Sequence, residues 1–303
     1  MAKKAKQNIS TKRILSKGVT VFFWVLMLLI ALSLYIPIIW LMMNSFKGDL
    51  EFHNTPAYAF TKAANWSNYT YILNEFKYVV TTSEGRITYG LWNMALNSVL
   101  YALLISLYGP FMNLICAYVI SKYKFKSRNF IYNMGIVLMI VPIIGAGGSA
   151  LIFKKTLGIY DNMILQILTS PSMAFSGLNF LIFYAAFKSV PWAYAEAAFV
   201  DGAGHFRIFF QIMLPMVIPT YAVLFLLGFV GAWNDFETFL FFLPSYANLA
   251  LGMYNLQQFA SLEGATTPQV LAGFVIIAIP TVALYLLSQR LIASKFTVGG
   301  LKG

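Results

Sequence analysis

Charged residues are scarce in this chain, and so are the residue types that metal and redox sites need. Asp, Glu, Lys and Arg make up 10% of the 303 residues, against roughly 25% in soluble domains. Cys116 is the only cysteine, so it forms no intramolecular disulfide, and its apolar surroundings favour a small buried thiol. The two histidines, His53 and His205, have no cysteine or HExxH motif nearby. Zinc chemistry therefore has little support.

The sequence also lacks the groups that an energy-coupling or catalytic site needs. No GxxxxGKS/T phosphate loop occurs, and the glycine-rich stretch 145–150 lies in an apolar run without the acidic partner of a dinucleotide site. In the long apolar runs, acidic and histidine residues occur only at the edges, as His205 and Asp235. An intramembrane enzyme or a proton-coupled carrier needs such groups inside the membrane. We therefore predict no catalytic residue, no metal and no cofactor.

Long apolar runs are abundant instead, and hydrophobic residues make up 59% of the chain. A helix that crosses about 30 Å of hydrocarbon needs roughly 20 apolar residues. Six runs reach this length, so we predict an all-α membrane protein with six transmembrane helices. Proline removes a backbone donor, and we expect the first helix to kink or end near Pro37. The runs cover residues 18–46, 87–121, 129–153, 162–187, 208–234 and 264–289.

The distribution of charge orients these helices. With six crossings, one side of the membrane receives fifteen of the twenty-one Lys and Arg residues, and the other receives eight of the ten acidic residues. The positive-inside rule then places both termini in the cytoplasm. A seventh crossing at 238–262 would move Arg290, Lys295 and Lys302 outside, so we predict an outer loop or partly re-entrant element there. Topology and anionic membrane lipid explain the basic clusters better than nucleic acid does.

Two regions follow from this topology. Residues 1–86 comprise a basic cytoplasmic amino terminus, the first transmembrane helix and an extracellular loop, and residues 87–303 comprise a five-helix core with a cytoplasmic tail. Aromatic residues in the loop lie at the membrane interface by default, or they form a docking surface for an extracellular partner. The sequence leaves both alternatives open. These aromatic residues are Phe52, Tyr58, Phe60, Trp66, Tyr69, Tyr71, Phe76 and Tyr78.

The cytoplasmic segment 188–207 combines a helix-forming half with a glycine turn. Four alanines between positions 193 and 198 favour a short helix, and their small side chains allow another protein to approach closely. Gly202 and Gly204 allow a turn with positive φ, after which an apolar helix continues. A helix, turn and second helix joined to the membrane spans would transmit motion from a soluble partner.

The spacing in this segment resembles the EAA signature of bacterial ATP-binding-cassette (ABC) importer permeases. Nearly the whole chain is similar to the carbohydrate-importer branch of that family, typified by the second maltose-permease subunit. The EAA segment is the diagnostic part, because several positions match in the place that the topology requires. The matching residues are Glu196, Ala197, Ala198, Gly202, Ile212, Leu214 and Pro215.

The resemblance implies the type I ABC importer permease fold, in the bacterial cytoplasmic membrane, and a division of labour among chains. A second permease subunit completes the pathway, an ATP-binding-cassette ATPase dimer binds beneath, and an extracellular sugar-binding protein delivers a sugar or oligosaccharide. The helix around Glu196 is then the coupling helix, which sits in a groove of the ATPase. The ATPase-coupling residues that the resemblance implies are Glu196, Ala197, Ala198, Asp201, Gly202 and Ala203.

The end of the fifth predicted span supplies the candidates for solute contact. Trp233, Asn234 and Asp235 place an aromatic face beside groups that hydrogen-bond sugar hydroxyls. A helix-end cap with an interfacial tryptophan explains the same residues equally well. The solute is open too, because importers of peptides, amino acids or polyol-phosphates are alternatives within the same family.

Overall fold

The computed structural model describes residues 2–82, 85–141, 146–170, 174–260 and 264–295, with side chains for 17–81, 85–141, 147–170, 174–260 and 264–289. These residues form fourteen α-helices, a π-helix at Phe209–Met213 that joins two of them, and one two-stranded sheet. The elements are α1 (Ala2–Ser45), α2 (Asp49–Asn54), α3 (Ser67–Asn74), β1 (Lys77–Thr82), β2 (Gly85–Gly90), α4 (Leu91–Lys122), α5 (Arg128–Ile140), α6 (Ala146–Thr156), α7 (Met163–Thr169), α8 (Gly177–Ser189), α9 (Ala193–Val200), α10 (His205–Ile208), α11 (Leu214–Trp233), α12 (Glu237–Phe242), α13 (Leu249–Phe259) and α14 (Thr267–Lys295).

Four helical segments of the described chain are long and apolar enough to cross a membrane. The first belongs to α1, which continues through Pro37 to Ser45, so the helix does not end at the proline. Membrane helices tolerate proline because neighbouring groups and local adjustments satisfy the freed carbonyl. The four segments are Lys17–Ser45, Leu91–Lys122, His205–Trp233 and Thr267–Gln289.

The predicted spans 129–153 and 162–187 each contain two shorter helices. The first span becomes α5 and α6, and α5 stops where Val141 takes φ −70° and ψ 112°. Pro142 follows in the sequence, outside the described residues, and proline disfavours the α conformation in the residue before it. The second span becomes α7 and α8. The structure thus has four long helices and two helix pairs in place of six uninterrupted helices.

A β-hairpin corrects the all-α prediction. Strands β1 and β2 pair antiparallel, with Lys77 opposite Gly90. The sequence of β1, KYVVTT, ends in four β-branched residues, which favour an extended backbone. Helix α4 therefore begins at Leu91, after the hairpin, although the apolar run begins at Ile87.

The segment 238–262 does not form a long helix where it is described. It contains most of α12, with 6 residues, and all of α13, with 11 residues. At 1.5 Å per residue, α13 spans about 17 Å, which is too short to cross about 30 Å of hydrocarbon. The helices of this segment are about as short as those of the pairs α5–α6 and α7–α8, and the loop or re-entrant element stays a prediction.

The chain divides into two compact units by its internal contacts. The first unit comprises Met1–Ile72 and Ala260–Val275, and the second comprises Leu73–Phe259 and Ile276–Gly303. In the second unit, α4 is the central helix and packs against both α8 and α11. One apolar cluster surrounds the carboxyl-terminal half of α4, and another surrounds Tyr101 nearer its start. Helix α4 therefore contributes residues to both apolar clusters of this unit.

In the first unit, the loop after α1 folds back onto the end of that helix. The buried Asn68 donates hydrogen bonds from Nδ2 to the carbonyls of Ser45 and Lys47, both at 2.8 Å. The bond to Ser45 satisfies a carbonyl that the helix end leaves without an intrahelical partner. Phe46 packs edge-on against Trp66 at 5.0 Å between ring centroids. Three aromatic side chains of the loop stay largely exposed: Tyr58 at 80%, Phe60 at 78% and Trp66 at 64%.

Candidate functional site

Helix α9 and the turn after it form the candidate coupling segment. The helix ends in a Schellman motif, in which the Ala203 N–H donates to the Ala198 carbonyl at 2.9 Å and the Gly202 N–H donates to the Phe199 carbonyl at 3.0 Å. This motif needs a left-handed residue, and Gly202 supplies it with φ +79°. Gly204 has an ordinary extended conformation with φ −77° and precedes α10. Only one of the two glycines therefore has the positive φ that the sequence suggested for both.

Helix α9 presents one face to the protein and the other to its surroundings. Ala195 is fully buried and Ala198 is 8% exposed, and both pack into the apolar cluster around α4. Glu196, Ala197 and Asp201 are exposed, as is Gly202, and Ala203 is intermediate. The expectation that all four alanines admit another protein is therefore corrected, because two of them hold the helix to its own core.

Three exposed apolar side chains surround this face and were not singled out in the sequence. Tyr194 is 51% exposed, Val200 is 88% exposed and Phe206 is 82% exposed. Exposed apolar groups next to charged ones are typical of a surface that a protein partner covers. Apolar periodicity along α9 is the signal that could have identified Tyr194 and Val200. Eight residues are too few to show this periodicity, because apolar residues occur on every side of the helix.

Tyr123, directly after α4, connects that helix with both sides of α9. Its hydroxyl lies 2.9 Å from His205 Nδ1, after α9, and its ring packs edge-on against Trp192, before α9. The hydroxyl also lies 3.3 Å from the Tyr118 hydroxyl within α4. Lys122 adds a hydrogen bond from Nζ to the carbonyl of Val190. The coupling segment is thus attached to the end of α4.

Helix α4 also lines a cavity of about 570 Å³, together with α8 and α11. This volume lies within the range of about 300–1,000 Å³ that is typical of small-molecule sites. The lining combines apolar and small residues with side chains that exchange hydrogen bonds. The polar and charged lining residues with the largest side chains are Tyr101, Asn113, Asn179, Asn234, Asp235 and Glu237.

Two of the three predicted solute-contact residues lie in this cavity. Asn234 and Asp235 line it, and Asn234 also donates from Nδ2 to the carbonyl of Val230 at 2.8 Å. Trp233 lies elsewhere: it is 1% exposed, its Nε1–H donates to the Ile277 carbonyl at 3.1 Å, and its ring stacks on a neighbouring phenylalanine at 5.7 Å. In this structure Trp233 is a core residue whose faces are not open to a sugar ring.

Asp235 holds the cavity wall together at the start of α12. Its Oδ1 accepts the N–H of Thr238 at 2.9 Å, and its Oδ2 lies 3.4 Å from the hydroxyl of Tyr101 on α4. Its carbonyl accepts a hydrogen bond from Asn248 Nδ2 at 2.8 Å. A carboxylate at a helix amino terminus satisfies otherwise unpaired N–H groups. Asp235 thus lines the cavity and also accepts an N–H of the first turn of α12, and its contact with a solute stays a prediction.

The sequence that carries the candidate coupling segment and the cavity matches a known protein family. The family "Binding-protein-dependent transport system inner membrane component" matches residues 109–297, more than half of the chain. This chain belongs to that family. It is therefore a membrane component of a transport system, not an enzyme, and the match includes the whole coupling segment and most of the cavity lining.

Individual relatives of this transport component support the assignment over almost its full length. It is 28% identical to the maltodextrin transport system permease protein of Streptococcus pneumoniae, with 98% of this chain and 99% of the relative covered. It is 27% identical to the diacetylchitobiose uptake system permease protein of Streptomyces coelicolor, with 90% and 86% covered. A crystal structure of a bacterial ABC transporter that imports the acidic polysaccharide alginate has the same fold, with a TM-score of 0.69 and 20% identity over 90% of this chain and 96% of that chain.

Proposed function

We propose that the chain is a permease subunit of an ATP-driven importer, which moves a sugar or oligosaccharide delivered by an extracellular binding protein. A second permease subunit completes the pathway, and an ABC ATPase dimer binds at the coupling segment. The relatives named above carry saccharides, and the family depends on a binding protein. The topology we propose has six crossings with both termini in the cytoplasm, and two of these crossings consist of paired shorter helices.

The observation that carries this proposal is the attachment of both functional regions to α4. The cavity lies along the middle of that helix, from Tyr101 to Asn113, and the coupling segment is bound at its end through Tyr123. Ten residues separate Asn113 from Tyr123, which corresponds to about 15 Å of helix. A displacement of α9 by the ATPase therefore reaches the cavity wall through one helix.

The chemistry of the cavity suits a saccharide. Asparagine side chains both donate and accept hydrogen bonds, as sugar hydroxyls do, and Tyr101 and Phe236 add aromatic surface. We propose Asn234 and Asp235 as solute-contact residues of the pathway. For the ATPase contact we propose the exposed residues Glu196, Ala197, Asp201 and Gly202, with Ala198 and Ala203 fixing the helix and turn.

Reversing the charge at Glu196 tests the coupling role. Glu196 is exposed at the outer face of α9, so Glu196→Lys leaves the core intact and changes the charge offered to the ATPase. Loss of a charged contact at an interface weakens binding by about 2–5 kcal/mol when the pair is desolvated. We expect saccharide-stimulated ATP hydrolysis by the reconstituted assembly to fall at least about tenfold, with an unchanged amount of permease in the membrane.

The matched control is Lys126→Glu, which reverses a charge of another exposed residue on the connector after α4. We expect nearly normal hydrolysis from this variant. Equal hydrolysis by Glu196→Lys and the unmodified assembly would reject α9 as the ATPase contact. If hydrolysis responds to an amino acid or peptide in place of any saccharide, the coupling role stands and the solute class is wrong.

A further inference from the structure

We propose that the cavity along α4 selects against anionic saccharides, and that Asp235 and Glu237 are the residues that determine this selectivity. The solutes it admits are neutral saccharides and amino sugars with a positive charge, whereas uronic acids and sugar phosphates are excluded. This inference rests on the proposed function, because it takes the cavity as part of the solute pathway. It adds a charge requirement that neither the family nor the fold specifies.

The composition of the cavity wall is the first observation. Asp235 and Glu237 both line the cavity, and no Lys, Arg or His occurs among the described residues of the lining. The remaining large polar groups are uncharged amides and hydroxyls. The formal charge of the described lining is therefore −2, although the chain as a whole carries +11. The formal charge of the cavity lining is thus opposite in sign to the net charge of the protein.

The second observation is that neither carboxylate has a close cation. Within the described side chains, no basic nitrogen lies within 4.0 Å of Asp235 or Glu237. Both oxygens of Asp235 face uncharged donors, the Thr238 N–H and the Tyr101 hydroxyl. Glu237 is exposed in the first turn of α12. Neither negative charge is therefore neutralised by an ion pair among the described side chains.

Lys154 is the cation that interacts with Asp235 electrostatically, and it offsets part of this charge from outside the lining. Its Nζ is already engaged, because it donates to Gln166 Oε1 at 2.7 Å and lies 3.8 Å from the centroid of the Phe242 ring. It is therefore held away from the solute. Glu237 forms no ion pair among the described side chains, and one lysine balances only one of the two carboxylates, so the cavity keeps a net negative charge.

The consequence for a solute follows from Coulomb's law. At about 8 Å and an effective dielectric constant of about 40, one carboxylate changes the local concentration of a monovalent ion about fivefold. A carboxylate raises the local concentration of a cation and lowers that of an anion by the same factor. The ratio of the two concentrations therefore changes by the square of this factor for each carboxylate. Allowing for screening by salt, we expect a difference of at least about tenfold.

The test measures this difference with charged thiol reagents of equal size. Asn179 lies on α8 in the cavity wall, away from both carboxylates in sequence. Asn179→Cys is introduced together with Cys116→Ser, which removes the native thiol. A cationic, an anionic and a neutral methanethiosulfonate react with the full-length protein in membranes. We expect the cationic reagent to react at least about tenfold faster than the anionic one, relative to their rates with free cysteine.

The control combines this cysteine with Asp235→Asn and Glu237→Gln, which keep the size of each side chain and the oxygen of residue 235 that accepts the Thr238 N–H. We expect the ratio of rates to approach that of free cysteine. If the double variant does not fold, Glu237→Gln alone serves, because that side chain is exposed. Two results would overturn the proposed selectivity. The cationic-to-anionic rate ratio could equal the free-cysteine ratio when both carboxylates are present. It could also stay unchanged in the carboxylate variants. Failure of the neutral reagent to react would instead contradict the use of this cavity as a solute pathway.

Discussion

The turn after the coupling helix offers a sharp test, because two glycines in it differ only in backbone conformation. Gly202 has φ +79° and Gly204 has φ −77°. A Cβ added at either position meets no atom within 4 Å. The substitutions Gly202→Ala and Gly204→Ala therefore add the same methyl group to equally open space. Any difference between them reports the left-handed backbone of the Schellman motif.

The magnitude follows from these conformations. A left-handed backbone costs an L-residue about 1–2 kcal/mol relative to glycine. Alanine at Gly204 meets no such penalty, and it stabilises the fold by about 0.4–1 kcal/mol because the unfolded chain loses conformational freedom. If the Gly202→Ala strain is relieved by opening the turn, the population of the native coupling conformation relative to the opened one falls about 5- to 30-fold.

The assay is the affinity of the purified permease assembly for its ATPase, together with saccharide-stimulated ATP hydrolysis. We expect Gly202→Ala to weaken both about 5- to 30-fold and Gly204→Ala to leave both nearly unchanged. Equal results for the two alanine variants would show that the positive φ of Gly202 does not cause the effect. A loss of both variants from the membrane would show that the turn serves folding and not coupling.

Two further predictions concern the contacts around α4 and α8. A Cβ at Gly135 would lie 2.2 Å from the carbonyl oxygen of Phe175. Gly135→Ala is therefore expected to destabilise the protein by about 1–3 kcal/mol, measured as a lower midpoint of thermal unfolding in detergent. Gly147→Ala places its methyl group in open space and is expected to leave the midpoint unchanged. Tyr123→Phe removes the hydroxyl that bonds His205 at 2.9 Å and is expected to lower saccharide-stimulated hydrolysis about 2- to 10-fold. The same change in a His205→Ala background should then have little further effect, and an additive loss would contradict the link.

Local features of the sequence were sufficient for the membrane class and for the helix and glycine turn of the candidate coupling segment. Run length identifies a span because the cost of burying polar groups in hydrocarbon accumulates residue by residue. The helix at 193–200 and the positive φ of Gly202 follow from alanine propensity and from the freedom of glycine. Both kinds of inference depend on neighbours in sequence, so no knowledge of the fold was needed.

Other features depend on neighbours in space. Ala195 and Ala197 are the same residue type in the same helix, yet one is buried and the other exposed, because only packing decides which face of a short helix turns to the core. Trp233 and Asn234 are adjacent, yet one is bound to the Ile277 carbonyl and the other lines the cavity. No local pattern separates such pairs.

Composition and local motifs thus establish that this chain crosses the membrane and that a helix and a glycine turn stand between two of its apolar runs. The tertiary structure alone decided that α4 joins this turn to a cavity and that the cavity wall is negatively charged. Tyr101 and Asp235, 134 positions apart, meet there. Hydrophobicity and propensity are summed along the chain, whereas a cavity and its charge arise where distant helices pack together.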